Sequence, residues 1–525
     1  TNVFPGALQI GGTVDLSDTF SVTSAPMQLQ FTPDHQVLVA VDFNANKLEL
    51  IENTTHFSID RFLSDDEFFT GVALTNPSSQ DANVIVTGYG DSGLPLVDNT
   101  DTEDVVEYVN PVEVSIPAGG QLAKTAAELL SIPEGQASAG WMDVDTDQAD
   151  LRSFSLSGDR GLKRLDGVVA SRSESIQYIV PEVRVTDGFD TQLVILNRNL
   201  QATHVVLQLF SNAGELLGTS QLDLARRGSA VQYLRDPDPT DDTVEGLFPE
   251  TIWEDFEDGY VVVTSATGVT AFERYVDSER MSVLDCTPIG ERDPHPTRFF
   301  LPQIVEFEGN STTLKLINSH PIPPEEPADG SDPIDPETLK LTVQLELKGN
   351  DGQDLAAPVA VDLGAGESIR QSVAELFGLE DSGAVVSGWL LIDVNQEGLV
   401  GSAEFQVFGG KGMSTIPLQA AGSPELIFSH VAQGLGLSTG LVLINPGDTA
   451  ATATVQVFRQ DGELNAGTEV QIPAGGRIAG LLSELLDGMG EQIGGYVKVA
   501  SDSDLIGLEL FYADSLEYMA AVGAQ

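Results

Sequence analysis

The sequence predicts an all-β protein: four tandem antiparallel β-sandwich units, each with a short helix, preceded by a partial β unit. Three observations predict it. A strand ending in Asn recurs as GVALTNP, QLVILNRN, TLKLINSHP and GLVLINPG, with the Asn at positions 76, 197, 318 and 445. Near-constant steps of that length mark tandem copies of one ancestral unit. The segments after each Asn alternate apolar and polar residues with period two, the pattern of a strand with one buried face. Turn residues then punctuate the chain about every 8–12 positions, as in sandwiches.

Each copy carries further lines in fixed order. A second strand and turn read NVIVTGYGDSG, HVVLQLFSNAG, LTVQLELKGNDG and ATVQVFRQDG. Their closing Gly supplies the positive φ that a tight hairpin needs. Next come VSIPAGG, LDLARRG, VDLGAGE and VQIPAGG, strands stopped by Pro or Gly. A short helical signal follows in QLAKTAAELL, ESIRQSVAELF and RIAGLLSELL, and is lost in the second copy, SAVQYLRDPDP. The last line is a strand pair opened by Gly and an aromatic residue, at Trp141, Tyr260, Trp389 and Tyr496. A large ring there is expected to anchor the core of its own unit. The opening strands are YIVPEV, FFLPQIV and LIFSHVA.

These lines place units at residues 61–172, 173–294, 295–421 and 422–525, joined by short connectors that predict a stiff rod. Residues 1–60 hold counterparts of only the third and fourth lines. They read as a partial β-sandwich and assembly segment, with an open edge to be completed in cis or by a strand of another copy. The chain begins at Thr1 without a charged-then-apolar leader, as a mature product would after removal of a targeting segment.

Charge narrows the function. Eighty acids face 25 bases, a net charge of −55. Such a polyanion repels nucleic acid and anionic lipid, which require cationic contacts. No apolar run approaches the roughly 18 residues of a membrane span. Cys286 is the only cysteine, so no intrachain disulfide forms, and a buried, hydrophobe-like thiol is expected.

Candidate chemistry is sparse. WMDVDTDQADL places Asp143, Asp145, Asp147 and Asp150 at alternating spacing, and carboxylates so placed in a bent loop can converge on calcium. Gln148 and Phe154 stand where the EF-hand requires Gly and Glu, so a hairpin with solvated acids competes with that reading. Further acid clusters are DPDPTDD, ASDSD and the loop acids Asp329, Asp332, Asp335 and Glu337. The six histidines are scattered, and no zinc, nucleophile-elbow or phosphate-loop motif is present. The sequence therefore predicts no enzyme, no catalytic residue and no cofactor beyond calcium. The repeated Asn is expected to cap its turn through its own side chain.

The fourth copy, STGLVLINPGDTAATATVQVFRQDG followed by VQIPAGG, resembles Ig-like β-sandwich repeats of large secreted or surface bacterial proteins. The resemblance covers most of residues 61–525. It implies an extracellular spacer, adhesin or fibre part and carries over no functional residue. The expected function is an extracellular structural protein polymerising with copies of itself through the N-terminal unit. The alternatives are a surface adhesin or carbohydrate-binding spacer gripping a surface glycan, and a set of units cut from a larger secreted enzyme.

Overall fold

The protein is all-β, built from multiple antiparallel sheets with a few short helices. In this computed structural model the described residues are 55–96, 109–133, 135–172, 174–185, 189–237, 245–277, 279–289, 296–307, 309–323, 334–379, 385–515 and 517–525, together with the backbone of three earlier strands. Those strands, Met27–Phe31, Val37–Asp42 and Lys47–Glu52, form an antiparallel meander with Met27 opposite Asp42 and Val37 opposite Glu52. Residues 1–26, 238–242, Asp329 and Asp332 lie outside the described residues.

From Thr55 onward the strands fall into four sets with one connectivity. In the first set the strands are Thr55–Ser64, Phe68–Thr75, Ala82–Tyr89, Val112–Ile116, Gln121–Thr125, Ser138–Thr146, Arg152–Asp159 and Leu165–Val169. The first pairs with the sixth, the sixth with the third and the third with the fourth. The eighth pairs with the seventh, the seventh with the second and the second with the fifth. The same two ladders recur in the later sets, whose first strands begin at Ser175, Arg298 and Ser423. In the second and fourth sets one long strand, Gly259–Val276 or Tyr496–Ala513, serves as both sixth and seventh and passes from one ladder to the other. The strand Thr55–Ser64 crosses the boundary expected at residue 60.

A hydrophobic core lies between the two ladders of each set. In the second set it joins Leu193 and Ile195 to Val205, Leu207 and Leu209, and it includes Cys286, whose thiol burial pushes well above its ordinary pKa. Among the described residues the α-helices are about one turn long, at Ala126–Leu130, Glu250–Trp253, Val373–Phe377 and Leu482–Leu485. The first and third start at a Thr125 or Ser372 cap, reciprocated by Glu128 or Glu375. Such a capping box satisfies amide donors that so short a helix leaves open.

The repeated Asn caps as the sequence predicts, and does more. Asn76, Asn197, Asn318 and Asn445 are all fully buried. Asn445 Nδ2 donates to the carbonyls of Thr449 (2.7 Å), Ile472 (3.2 Å) and Pro473 (3.0 Å), and its Oδ1 accepts from Gly447 N (3.0 Å). It thus ties the end of the second strand to the end of the fourth. Asn445→Ala is expected to destabilise the protein by about 3 kcal/mol, because buried carbonyls lose their donor. Urea unfolding followed by circular dichroism measures this, and a loss below about 1 kcal/mol would refute the bridging role.

The sets do not string out as the expected rod. The eighth strand of each set lies against that of the next, and that of the fourth lies against that of the first. The four sets close into a ring with their eighth strands at the centre.

Candidate functional site

The ring is held by a latch repeated at each of its four seams. Trp141 Nε1 donates to Arg227 O (3.0 Å), Tyr260 Oη to Gly366 O (2.9 Å), Trp389 Nε1 to Gly475 O (3.1 Å) and Tyr496 Oη to Gly119 O (2.9 Å). Each aromatic belongs to one set and its acceptor to the turn before the fifth strand of the next set. The expected role in its own core is therefore corrected. Trp141 is buried among Val168 of its own set and Val194, Leu196 and Phe272 of the next. Ring area and a polar N–H or O–H suit the residue to an interface of this kind.

A second element repeats beside the latch. The first residue of each fifth strand donates its N–H to the hairpin turn of the preceding set. The pairs are Gln121 to Gln460 O (2.8 Å), Ser229 to Asp91 O (3.1 Å), Ser368 to Asn212 O (2.9 Å) and Arg477 to Asn350 O (2.9 Å). Turn glycines make the approach possible. Gly93 and Gly352 hold φ of +77° and +80°, and a Cβ there would fall 1.9 Å from Arg226 O and 2.5 Å from Ala474 O across the seam.

Within this common frame each seam is filled differently. Aligned on the Asn, the position fifteen residues earlier reads Arg61, Glu182, Gln303 and His430. Arg61 pairs with Asp91 at 2.5 Å, and Asp91 accepts from Ser229 Oγ at 2.6 Å across the first–second seam. Glu182 accepts from Ser402 Oγ (2.9 Å) and Arg370 Nε (3.2 Å) across the second–third seam, where Glu404 meets Arg184 (2.7 Å) and Arg370 (3.1 Å). Burial alone would raise the Glu182 carboxyl, but Arg370, Lys315 and Arg184 outweigh it and hold the group below its ordinary range. Burial, reinforced by Glu182, pushes the nearby Glu273 carboxyl well up.

Gln303 accepts from Arg477 (2.7 Å), which also bonds Ser387 Oγ (2.8 Å), Asn350 Oδ1 (3.0 Å) and the carbonyl of Gly388. Burial pulls that guanidinium down to about 10. At the closing seam Gln121 Nε2 donates to Thr75 Oγ1 (2.9 Å), Ser429 O (2.8 Å) and Gly495 O (2.9 Å). His430 stands there among rings, 5.4 Å from Phe511 and 6.1 Å from Phe154. Burial lowers its imidazole to about 4, so it is neutral at ordinary pH.

At the axis the seams meet in one hydrogen-bonded chain. Asp166 of the first set accepts from Ser282 Oγ (3.0 Å) and Val283 N (2.9 Å) of the second and from Ser414 Oγ (2.8 Å) of the third. Ser414 Oγ in turn accepts from Ala521 N of the fourth (2.9 Å). Asp166 is fully buried. Desolvation lifts its carboxyl to about 7 against these bonds.

The acids expected to gather calcium are put to other uses. Asp143 is buried on the face turned to the second set, where it pairs with Arg198 (2.5 Å) and Arg227 (2.6 Å). Asp145, on the same face, reaches Arg198 at 3.4 Å. Asp147 accepts from Asn83 N (2.9 Å) and Nδ2 (2.7 Å), and Asp150 is exposed beyond it. Guanidinium groups thus neutralise buried Asp143 and reach half-buried Asp145, and the four acids do not converge. Among the described residues no group of three or more His, Cys, Asp or Glu is placed to hold a metal ion.

Two cavities adjoin at the closing seam. One, of about 340 Å³, lies between the fourth and first sets, with Ala73, Phe154, His430, Ala432 and Phe511 in its wall. The other, about 830 Å³, runs along the first set past Asp65, Asp66 and Arg160 and shares Phe69, Thr125 and Glu128 with it. Reading the sequence for catalytic motifs passes over these residues, as it passes over Asp166. For His430 the signal is its column in the repeat alignment, Arg61, Glu182, Gln303 and His430, whose chemistry changes from copy to copy.

Residues 396–507 match a family described as "Family of unknown function (DUF5719)". The stretch runs from the third set into the long strand of the fourth. No curated protein matches the chain. Among solved structures, the crystal structure of Thermotoga maritima 1070 aligns at 14% identity over 20% of this chain and 94% of its own, with a TM-score of 0.18. Dimeric latent PorU from Porphyromonas gingivalis aligns at 9% over 71% of this chain and 31% of its own, TM-score 0.13. A glycoside hydrolase family 32 structure from Bifidobacterium adolescentis aligns at 11% over 86% of this chain and 98% of its own, TM-score 0.14. Scores this low carry no functional inference.

Proposed function

We propose that this chain is a non-catalytic structural module of the cell surface or extracellular space. In this reading four Ig-like β-sandwich repeats form one rigid ring, and residues 1–54 link it to further copies. The observation that carries the reading is the closure of the ring by the same latch at all four seams. The paired buried charges, Asp143, Glu182 and Glu404 with their arginines, face neighbouring sets rather than an open cleft.

Closure also changes how copies can associate. A head-to-tail contact yields a ring when its rotation closes and a filament when it does not. Here the head and tail of every repeat are used within one chain, which leaves the N-terminal strands as the route between chains. Most of the chain's net charge of −55 lies in residues 55–525 and keeps bare rings apart. Negative-stain imaging and light scattering should therefore show joined rings for the full chain and single rings for residues 55–525. An extended rod would overturn the ring, and single particles for both chains at every salt concentration would overturn the linkage.

A further inference from the structure

The closing seam differs from the other three in one physical respect: two positions that are bulky elsewhere are alanine here. Three residues before the repeated Asn stand Ala73, Val194, Lys315 and Val442, and thirteen before it stand Leu63, Arg184, Val305 and Ala432. Ala73 of the first set and Ala432 of the fourth both line the cavity of about 340 Å³, which opens to solvent. That volume lies within the range of about 300–1,000 Å³ typical of small-ligand sites.

The space has not been refilled by collapse. Phe154, His430 and Phe511 stand as one aromatic wall, with Phe154 and Phe511 5.8 Å apart. Such a wall takes a further ring by stacking or edge contact. A neutral imidazole is compatible with that wall. The adjoining groove adds Asp65 and Asp66 against Arg160, whose Nε is already engaged by Asp65 O at 2.8 Å, while Glu128 lines both spaces and Lys124 lines the cavity. The field of a chain with charge −55 reinforces the preference for a cation there.

We propose that the cavity between the fourth and first sets binds a small arylalkylamine, its ring against Phe154, His430 and Phe511 and its ammonium toward the acidic groove at Asp66 and Glu128. The site goes beyond the structural role proposed above and does not depend on it.

Calorimetric titration of the full chain with tryptamine, indole and indole-3-acetate tests this, since the three share a ring and differ in the charge of the tail. Tryptamine is expected to bind more tightly than indole, and indole-3-acetate most weakly. The double variant Ala73→Val/Ala432→Val should lose at least tenfold in affinity for tryptamine. Val194 and Val305 occupy the same positions in other copies, so the fold accepts valine there. Asp66→Asn, on an exposed acid, should weaken tryptamine and leave indole unchanged. Absence of saturable binding by all three probes would overturn the proposal. So would unaltered binding by a double variant whose unfolding transition matches the parent, or indole-3-acetate binding as tightly as tryptamine.

Discussion

Asp166→Asn is expected to abolish a loss of stability that the parent protein suffers between about pH 4 and pH 8. The carboxyl sits at the axis, fully buried, with its pKa lifted by desolvation from its ordinary 3.8 to about 7. A raised carboxyl binds its proton more tightly in the folded chain than in the unfolded one. Its contribution is therefore fully present below the unfolded pKa and drains away as pH rises through the folded one. Three pKa units correspond to about 4 kcal/mol. The amide carries no such charge, and its oxygen and nitrogen still face hydroxyls that can donate or accept. The difference in unfolding free energy, parent minus variant, should fall by about 4 kcal/mol between pH 4 and pH 8. Urea titrations at four or five pH values measure it. A flat difference would mean that the axis does not titrate as its burial demands. Asp166→Ala serves as the companion: it strips the acceptor from Ser282, Val283 and Ser414 at once and, since neither variant titrates there, should lie on the order of 4 kcal/mol below Asp166→Asn at any pH.

The axis also shows what the sequence hides. Period-two alternation, D-G turns and the Asn step foretell the strands and their order, because those signals are local and repeat four times. What they cannot foretell is closure. The rod expectation treated Trp141, Tyr260, Trp389 and Tyr496 as core residues of single units. An aromatic at a strand start reads the same whether it buries inward or onto a neighbour. Closure depends on the rotation between successive units, and no local pattern encodes that angle. The same limit explains the acids of the first repeat. Asp143 and Asp145 share a strand face by spacing, but the arginines that meet them, Arg198 and Arg227, lie in the next repeat. The legible remainder was in the differences between copies. Arg61, Glu182, Gln303 and His430 occupy one position, and each seam is built to fit one of them.

Unlike fillings also give the ring a single closing order. The latch is common to all four seams and so cannot tell one neighbour from another, whereas a misplaced partner would bury Glu182 or Arg477 without the groups that satisfy them. Specificity of that kind rests on penalties against the wrong pairing as much as on attraction in the right one.

The second–third seam offers the sharpest test of that idea. Arg370 reaches Glu182 through Nε and Glu404 through Nη2, and both carboxylates are almost wholly shielded from water. Arg370→Ala leaves two buried charges with only Arg184 and Lys315 nearby, and should destabilise the protein by on the order of 4 kcal/mol near neutral pH. The cost has a direction in pH. Glu182 is held below its ordinary range in the folded chain, so its contribution is present above the unfolded pKa and is lost as pH falls through the folded one. The penalty of the arginine variant should accordingly shrink in acid, opposite in sense to the Asp166 effect. Converting the carboxylates as well, in Arg370→Met/Glu182→Gln/Glu404→Gln, removes the unpaired charge while an amide oxygen can still accept from Ser402 or Arg184. That triple variant should recover most of the loss. If it is as unstable as Arg370→Ala, the seam depends on packing around the guanidinium and not on the balance of its charges.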